Sequence, residues 1–288
     1  MSIVVTGATG QLGRLVIDAL LTRVPAGSVA AVVRDKEKAA DLAERGVELR
    51  IADYDAPRTL ADAFGAGDRV LLISGSEVGQ RVAQHAAVID AAKAAGVAQL
   101  AYTGVLGGPE ADFDLAAEHK ATERLILDAG LPYTFLRNGW YTENYTGNLA
   151  PVLAHGAVVG SAGEGRIASA SRADYAAAAA AVLTGPAEEH LGKAYELSGD
   201  VAWSLAEYAA EVARQSGKEI AYNDVPAGTH LSVLTGAGVP RPFAEILVDV
   251  DRAVALGALA RRTGDLSRLI GRPTTPIAET IGDALARA

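Results

Sequence analysis

Ile3-Val4-Val5-Thr6-Gly7-Ala8-Thr9-Gly10-Gln11-Leu12-Gly13 is the stretch from which the fold of this chain follows. Ile3 to Thr6 is a short apolar run of the kind buried on both faces of a sheet, and Leu12 to Leu21 has helical periodicity. The glycines between them fall at G-x-x-G-x-x-G spacing. Gly7 permits a tight turn, Gly10 lets the backbone approach a pyrophosphate, and Gly13 lets the helix pack closely on the strand. A helix starting there offers free N–H groups and a partial positive charge to an anion. Gly7, Thr9, Gly10, Gln11 and Leu12 are therefore expected to hold a dinucleotide. The alternative is an ordinary glycine-rich strand-to-helix turn.

Working outward, the alternation continues. Strands are expected at Val29–Val33, Glu48–Ile51, Val70–Ile73, Gln99–Thr103 and Tyr133–Arg137. Helices are expected at Lys36–Arg45, Arg58–Phe64, Val78–Ala95 and Leu115–Ala129. Continuous apolar strands alternating with helices indicate an α/β fold of Rossmann type, a doubly wound parallel sheet covered on both faces. Residues 1–152 are assigned to this nucleotide-binding domain, and residues 153–288 to a second, smaller, mostly helical substrate domain. A strand near 193–198 is expected to return to the main sheet. Within the second part, Gly156–Ser169 reads as a hairpin or extended excursion. Ser171 reads as the N-cap of a helix through Leu183, and Gly217 as the end of a helix over Leu205–Gln215.

Composition removes several classes of function. Half of the 288 residues are hydrophobic, which excludes disorder. The 31 glycines follow no period of three, which excludes a collagen-like chain. There is no cysteine, so there is no disulfide framework, thiolate metal site or cysteine nucleophile. The five histidines (85, 119, 155, 190 and 230) show no ligand spacing, so no metal is expected. A net charge of −9 without basic runs disfavours nucleic acid. No apolar stretch reaches the ~20 residues of a membrane span, and Met1-Ser2-Ile3-Val4-Val5 lacks the pattern of a signal peptide. A cytoplasmic enzyme without a membrane partner is expected.

The second strand ends Val32-Val33-Arg34 rather than in an acid. An arginine there pairs with the 2′-phosphate of NADPH, and a charge-assisted bond of about 1.5–3 kcal/mol is a roughly ten- to hundredfold preference. Asp35, the next residue, would serve an unphosphorylated ribose instead. Asp53 is placed to reach the adenine amino group, or else to make an Asx turn in Ala52-Asp53-Tyr54-Asp55. Ser74 and Gly75 end the fourth strand, and Tyr102 and Thr103 end the fifth, at the edge where ligands sit.

Dehydrogenases with such a loop commonly carry Tyr-x-x-x-Lys, but none of the nine tyrosines has a lysine four residues later. Without that acid, the acceptor must take hydride readily. Quinones do so, because the product is an aromatic hydroquinone anion that water protonates. Cationic dyes do so for a related reason.

Thr6–Gly13, Ile73–Arg81 and Arg137-Asn138-Gly139-Trp140-Tyr141-Thr142-Glu143-Asn144-Tyr145 resemble the bacterial type-2 NAD(P)H:quinone oxidoreductases. These are atypical short-chain dehydrogenases of the NmrA-like group. Ala170–Ala176 and Leu269–Pro273 are similar to later segments of that family. The resemblance implies NADPH bound along the first domain and a small-molecule quinone entering the cleft between domains. It also implies direct hydride transfer with no flavin or metal. Triphenylmethane-dye reductases are related but differ after the Arg-Asn pair. Asn138 is taken as a cofactor contact, and Trp140, Tyr141, Asn144 and Tyr102 as candidates for the acceptor pocket. His119 reads as a solvated helix-end histidine, and no proton donor is assigned. The alternatives are a non-catalytic NADP(H)-sensing regulator and a reductase of triphenylmethane dyes or conjugated carbonyls. Oligomeric state is not legible.

Overall fold

The structure, a computed structural model, describes residues 1–147 and 149–287. Its first half runs β1 (Ile3–Val5), α1 (Gln11–Leu21), β2 (Val29–Val33), α2 (Ala40–Glu44), β3 (Glu48–Ile51), β4 (Arg69–Leu72), α3 (Arg81–Ala95), β5 (Gln99–Val105), α4 (Ala116–Ala129) and β6 (Tyr133–Asn138). There follow α5 (Glu143–Thr146), α6 (Leu149–His155), β7 (Ala157–Gly160), β8 (Arg166–Ile167), α7 (Arg172–Thr184), α8 (Ala187–His190) and β9 (Lys193–Leu197). The last elements are β10 (Trp203–Ser204), α9 (Leu205–Ser216), β11 (Ala221–Asp224), α10 (Ala227–Gly236), α11 (Arg241–Ala255), α12 (Asp265–Ile270) and α13 (Ile277–Leu285).

Seven strands make one sheet in the order β3-β2-β1-β4-β5-β6-β9. Every pairing in it is parallel. The chain winds one way from β1 to β3 and the other way from β4 onward. That reversal at β1 and β4 opens a crevice at the carboxyl ends of the strands. Strand residues alternate between two cores. Val5, Ala31, Leu71, Ala101 and Leu136 pack with α1 and α7, whereas Val4, Val32, Val70, Leu100, Tyr102 and Phe135 pack with α3. This two-sided burial makes the strands apolar throughout, and α1 meets the first core with Leu12, Val16, Ile17 and Leu20.

A third core lies outside the sheet, built from Ile167, Trp203, Leu205, Tyr208, Val250, Val254 and Ile281. The expected strand near 193–198 does join the sheet, β9 beside β6. The chain returns to the sheet layer more fully than that strand alone. Ala176, Ala179 and Leu183 of α7 and Leu266 of α12 also lie in the core that carries α1. The Ala-rich face of α7 makes this close approach to α1 possible.

Several boundaries differ from the sequence expectations. The helix expected from Val78 starts at Arg81, because Gly79 stands at φ +87° and breaks the turn. Arg58–Phe64 is not an α-helix; a single 3-10 turn covers Pro57–Leu60. Gly65 and the positive-φ Gly67 follow too closely for a longer helix to nucleate. The excursion at 156–169 is split: β7 pairs with β11 in parallel and β8 pairs with β10 antiparallel. Helix α9 has a capping box, Ser204 with Glu207, and ends at Gly217 with φ +68°.

Candidate active site

A cleft of about 750 Å³ opens along the carboxyl edge of the sheet. The strand order sets the order of its lining. Asp53 and Tyr54 follow β3, Arg34 follows β2, Gly7–Gly13 follow β1, and Ser74–Glu77 follow β4. Tyr141 follows β6, and Arg172 of α7 and Phe243 of α11 complete the far end. From the end of β2 to the end of β6 there are four strand spacings, or about 19 Å at ~4.8 Å each.

The glycine loop is built as its spacing requires. Gly7 stands at φ +58°. A Cβ on Gly13 would lie 2.3 Å from the Gly7 carbonyl oxygen, and one on Gly10 3.2 Å from the same atom. Gly10 N–H donates to that oxygen at 2.9 Å. Among the described residues no side chain caps α1, and no acid stands in its first turn. The amides at its start are left to an anion in the cleft. This cradle, which side chains would fill, fits a dinucleotide pyrophosphate.

At one end, Arg34 and Asp35 take different tasks. Arg34 lines the cleft, exposed, and among the described residues its one ion pair is a 4.0 Å contact to Glu77. The Asp35 carboxylate turns away to accept from Glu37 N–H at 2.9 Å and Lys38 N–H at 3.3 Å, starting the turn before α2. Asp53 lines the cleft and also makes an Asx turn, accepting from Asp55 N–H at 3.1 Å. Beside it, the Tyr54 hydroxyl is buried without a hydrogen-bond partner among the described residues. Burial pushes its pKa up to about 12, so it stays a donor.

The loop after β4 is clamped from beneath by side chains. Thr6 Oγ1 accepts from Ile73 N–H at 3.1 Å, and Thr103 Oγ1 accepts from Ser74 N–H at 2.9 Å. Gly75 is held at both ends: its N–H donates to His85 Nε2 at 3.0 Å and its carbonyl accepts from Arg81 Nε at 2.5 Å. Gly79 N–H donates to Glu118 Oε1 at 2.9 Å. Because Nε2 of His85 accepts, Nδ1 carries the proton and donates to Thr122 Oγ1 at 2.9 Å, which in turn donates to the Glu118 carbonyl at 2.8 Å. His85 is fully buried, and burial lowers its pKa to about 4, so the ring is neutral at pH 7.

At the far end, the segment after β6 is stitched to the segment before α7. Ala170 N–H donates to the Trp140 carbonyl at 3.1 Å, and Thr142 N–H to the Ala170 carbonyl at 2.9 Å. Tyr141 meets the edge of Tyr175 at 5.3 Å, and the Arg172 guanidinium lies 4.6 Å from the Tyr141 ring centre. Arg172 donates to Asn144 Oδ1 at 3.0 Å, and Asn138 Nδ2 donates to the Tyr141 hydroxyl at 3.3 Å. Arg137 is structural: its guanidinium makes two bonds to Glu123, at 2.8 and 2.7 Å, and one to Glu196 at 2.8 Å.

The NmrA-like family model matches residues 1–256. The chain belongs to the NmrA-like family. Quinone oxidoreductase 2 of Escherichia coli K12 is 47% identical over 279 residues, covering 97% of each chain. The crystal structure of the E. coli NADPH-dependent quinone oxidoreductase complexed with NADPH superposes with a TM-score of 0.95 at 47% identity, over 98% of this chain and 99% of that one. The triphenylmethane reductase of Citrobacter sp., complexed with NADP(H), gives a TM-score of 0.93 at 42% identity, over 98% and 100%.

Within this NmrA-like chain, Gly7, Thr9, Gly10, Gln11, Leu12, Arg34, Asp53, Ser74, Gly75 and Tyr141 are brought together around one cleft. Thr103 and Asn138 lie one layer behind, holding Ser74 and Tyr141. Trp140 packs against the third core, and Asn144 acts on Arg172. Tyr102 is a correction to the acceptor-pocket expectation. It is fully buried on the α3 face, its hydroxyl 2.7 Å from His119 Nδ1. Strand β5 runs two residues beyond the expected end at Thr103, so Tyr102 stands within the sheet rather than at its edge. His119 is likewise not a freely solvated helix-end residue: it is partly buried, with its Nδ1 on the Tyr102 hydroxyl, and burial lowers its pKa to about 3. Tyr54, Arg81, Gln84, Arg172 and Phe243 line the cleft without having been expected there. Arg172 and Arg81 had a signal, their places within the family-like segments Ala170–Ala176 and Ile73–Arg81.

Proposed function

We infer that this protein is an NADPH-dependent reductase that passes hydride directly to quinones, working in the cytoplasm, where NADPH is kept reduced. The observation that carries the cofactor assignment is the division of labour between Arg34 and Asp35. The cation faces the cleft, whereas the acid that would favour an unphosphorylated ribose is spent on the turn before α2. Gly7, Gly10, Gln11 and Leu12 would hold the pyrophosphate, and Ser74 and Gly75 on their clamped loop would border the middle of the cofactor. On that reading the nicotinamide end would face Tyr141. When bound, NADPH supplies the hydride.

The acceptor therefore belongs between Tyr141, Arg172 and Phe243, where a flat molecule meets aromatic faces. A quinone that takes up hydride gains two electrons and one hydrogen and becomes a hydroquinone monoanion; a proton from water completes it. No strong acid is required, in keeping with the absent Tyr-x-x-x-Lys. The 47% identity to the E. coli quinone reductase along the whole chain supports the quinone as acceptor. The test follows NADPH absorbance with benzoquinones, naphthoquinones and a triphenylmethane dye. Turnover on quinones is expected. Tight NADPH binding without turnover on any acceptor overturns the reading and leaves a sensor of NADP(H).

A further inference from the structure

We propose that Arg172 is a catalytic, specificity-determining residue that stabilises the anion formed on a quinone and disfavours cationic acceptors. The proposal rests on the quinone reading above and assigns a role within the same cleft.

Four observations carry it. First, Arg172 lines the cleft, and its contact with Tyr141, which follows β6, sets it at the end opposite Arg34, the end left to the acceptor. Second, its side chain is only 15% exposed, so its charge acts in a partly desolvated setting. Third, the guanidinium is fixed but not used up. Stacking on Tyr141 at 4.6 Å and the bond to Asn144 at 3.0 Å hold its plane. A guanidinium has five N–H donors, and among the described residues Asn144 takes the one hydrogen bond it makes. Fourth, the nearby acid, Glu143, pairs with the guanidinium only at long range and takes none of its N–H donors. Both Glu143 carboxylate oxygens accept from the Arg172 backbone N–H, at 2.9 and 3.1 Å. The Glu143 ion pair with the guanidinium is long, 3.6 Å, beyond hydrogen-bond range, so the N–H donors on that side stay free for a ligand. Phe243, 53% exposed on α11, faces the same space and offers a flat wall for a ring.

The charge balance gives the specificity. Hydride transfer to a neutral quinone breaks a C–H bond of the reduced nicotinamide and forms one O–H bond; both C=O π bonds of the quinone give way to one aromatic C=C bond, the negative charge is left on the other oxygen, and NADPH becomes NADP⁺. A preorganised cation beside that oxygen lowers the barrier. Hydride addition to a triphenylmethane cation instead cancels a positive charge and yields a neutral product. There the same arginine repels the ground state and gains nothing in the transition state. A quinone-selective cleft wants the cation, and a dye-selective one does not.

The experiment compares wild type, Arg172→Gln and Arg172→Lys. With quinones, kcat of R172Q is expected to fall about 10- to 100-fold, with R172K partly restored. With a cationic triphenylmethane dye, kcat/KM is expected to stay level or rise. The NADPH dissociation constant, from quenching of protein fluorescence, is expected to remain within about twofold. A readout independent of turnover uses 4-nitrophenol, whose yellow phenolate mimics an aromatic oxyanion. On the NADP⁺-loaded wild type, the bound phenol should ionise at lower pH than in solution, and R172Q should abolish that shift. Equal losses with both acceptors, or a large loss of NADPH affinity, overturn the proposal. An unshifted nitrophenol on wild type overturns it as well. If wild type reduces no quinone yet shifts nitrophenol through Arg172, the oxyanion site stands and the quinone reading falls.

Discussion

Arg34 and Asp35 show how much one residue step decides. Both follow the same strand, yet of the two Arg34 lines the cleft while Asp35 starts the turn before α2. Arg34→Ala is expected to raise the KM for NADPH about 10- to 100-fold and that for NADH far less, read from steady-state kinetics with both nucleotides. Equal effects would remove Arg34 from this role. The neighbours Trp140 and Tyr141 divide in the same way. Trp140 packs into the third core, so Trp140→Ala should cost about 3 kcal/mol in urea unfolding with little change in acceptor KM. Tyr141→Ala should do the reverse, raising acceptor KM with a smaller loss of stability. The aromatic pair was legible as a pair; which member faces the cleft is set by backbone bonds to Ala170, residues away in sequence.

At the scale of elements, α3 and α4 act on the cofactor loop without lining most of it. His85 of α3 holds Gly75, and Thr122 of α4 fixes the tautomer that lets it do so. His85→Leu should weaken NADPH binding several-fold with the sheet intact, measured by fluorescence titration, because Gly75 N–H loses its acceptor. The same histidine makes stability depend on pH. Its folded pKa, about 4, and that of His119, about 3, lie below the ordinary histidine value of 6.5. Between the unfolded and folded values, the unfolded chain takes up protons that the native state does not. This part of the stability is present above about pH 6.5 and is lost as pH falls towards 4. Urea midpoints taken across that window should decline, and His85→Leu should flatten the decline. The sequence shows His85 and Thr122 only as helical residues. Their partnership is tertiary, made where α3 and α4 pack side by side.

At the scale of the molecule, distant segments close the cleft. Ser171 caps α7, and the buried Asp174 one turn later receives Arg272 at 2.6 Å and Thr275 N–H at 2.8 Å. The two family-like segments Ala170–Ala176 and Leu269–Pro273 are thus clasped together, and the clasp steadies the helix start that presents Arg172. Arg272→Ala should lower stability by about 3 kcal/mol, because a buried carboxylate loses its cation. NADPH affinity should change much less. Calorimetry with and without NADPH separates the two effects.

What the sequence determined by itself was whatever is local. Glycine spacing forces the phosphate turn, because backbone sterics act within a few residues. Apolar strands alternating with helices impose a doubly wound sheet, because each face must be covered. The missing tyrosine–lysine pair narrows the acceptor, because acid catalysis needs an acid. What only the tertiary structure decided is which side chains share the cleft. Arg172 and Phe243 reach it from the chain after the sheet's sixth strand. Tyr54 reaches it from a loop, and Tyr102 is excluded by the face of the strand on which it falls. Those placements depend on long-range contacts: α7 against α1, and Ala170 bonded across to Trp140 and Thr142. Contacts of that range are set by the packing of whole layers, and no local pattern of residues encodes them.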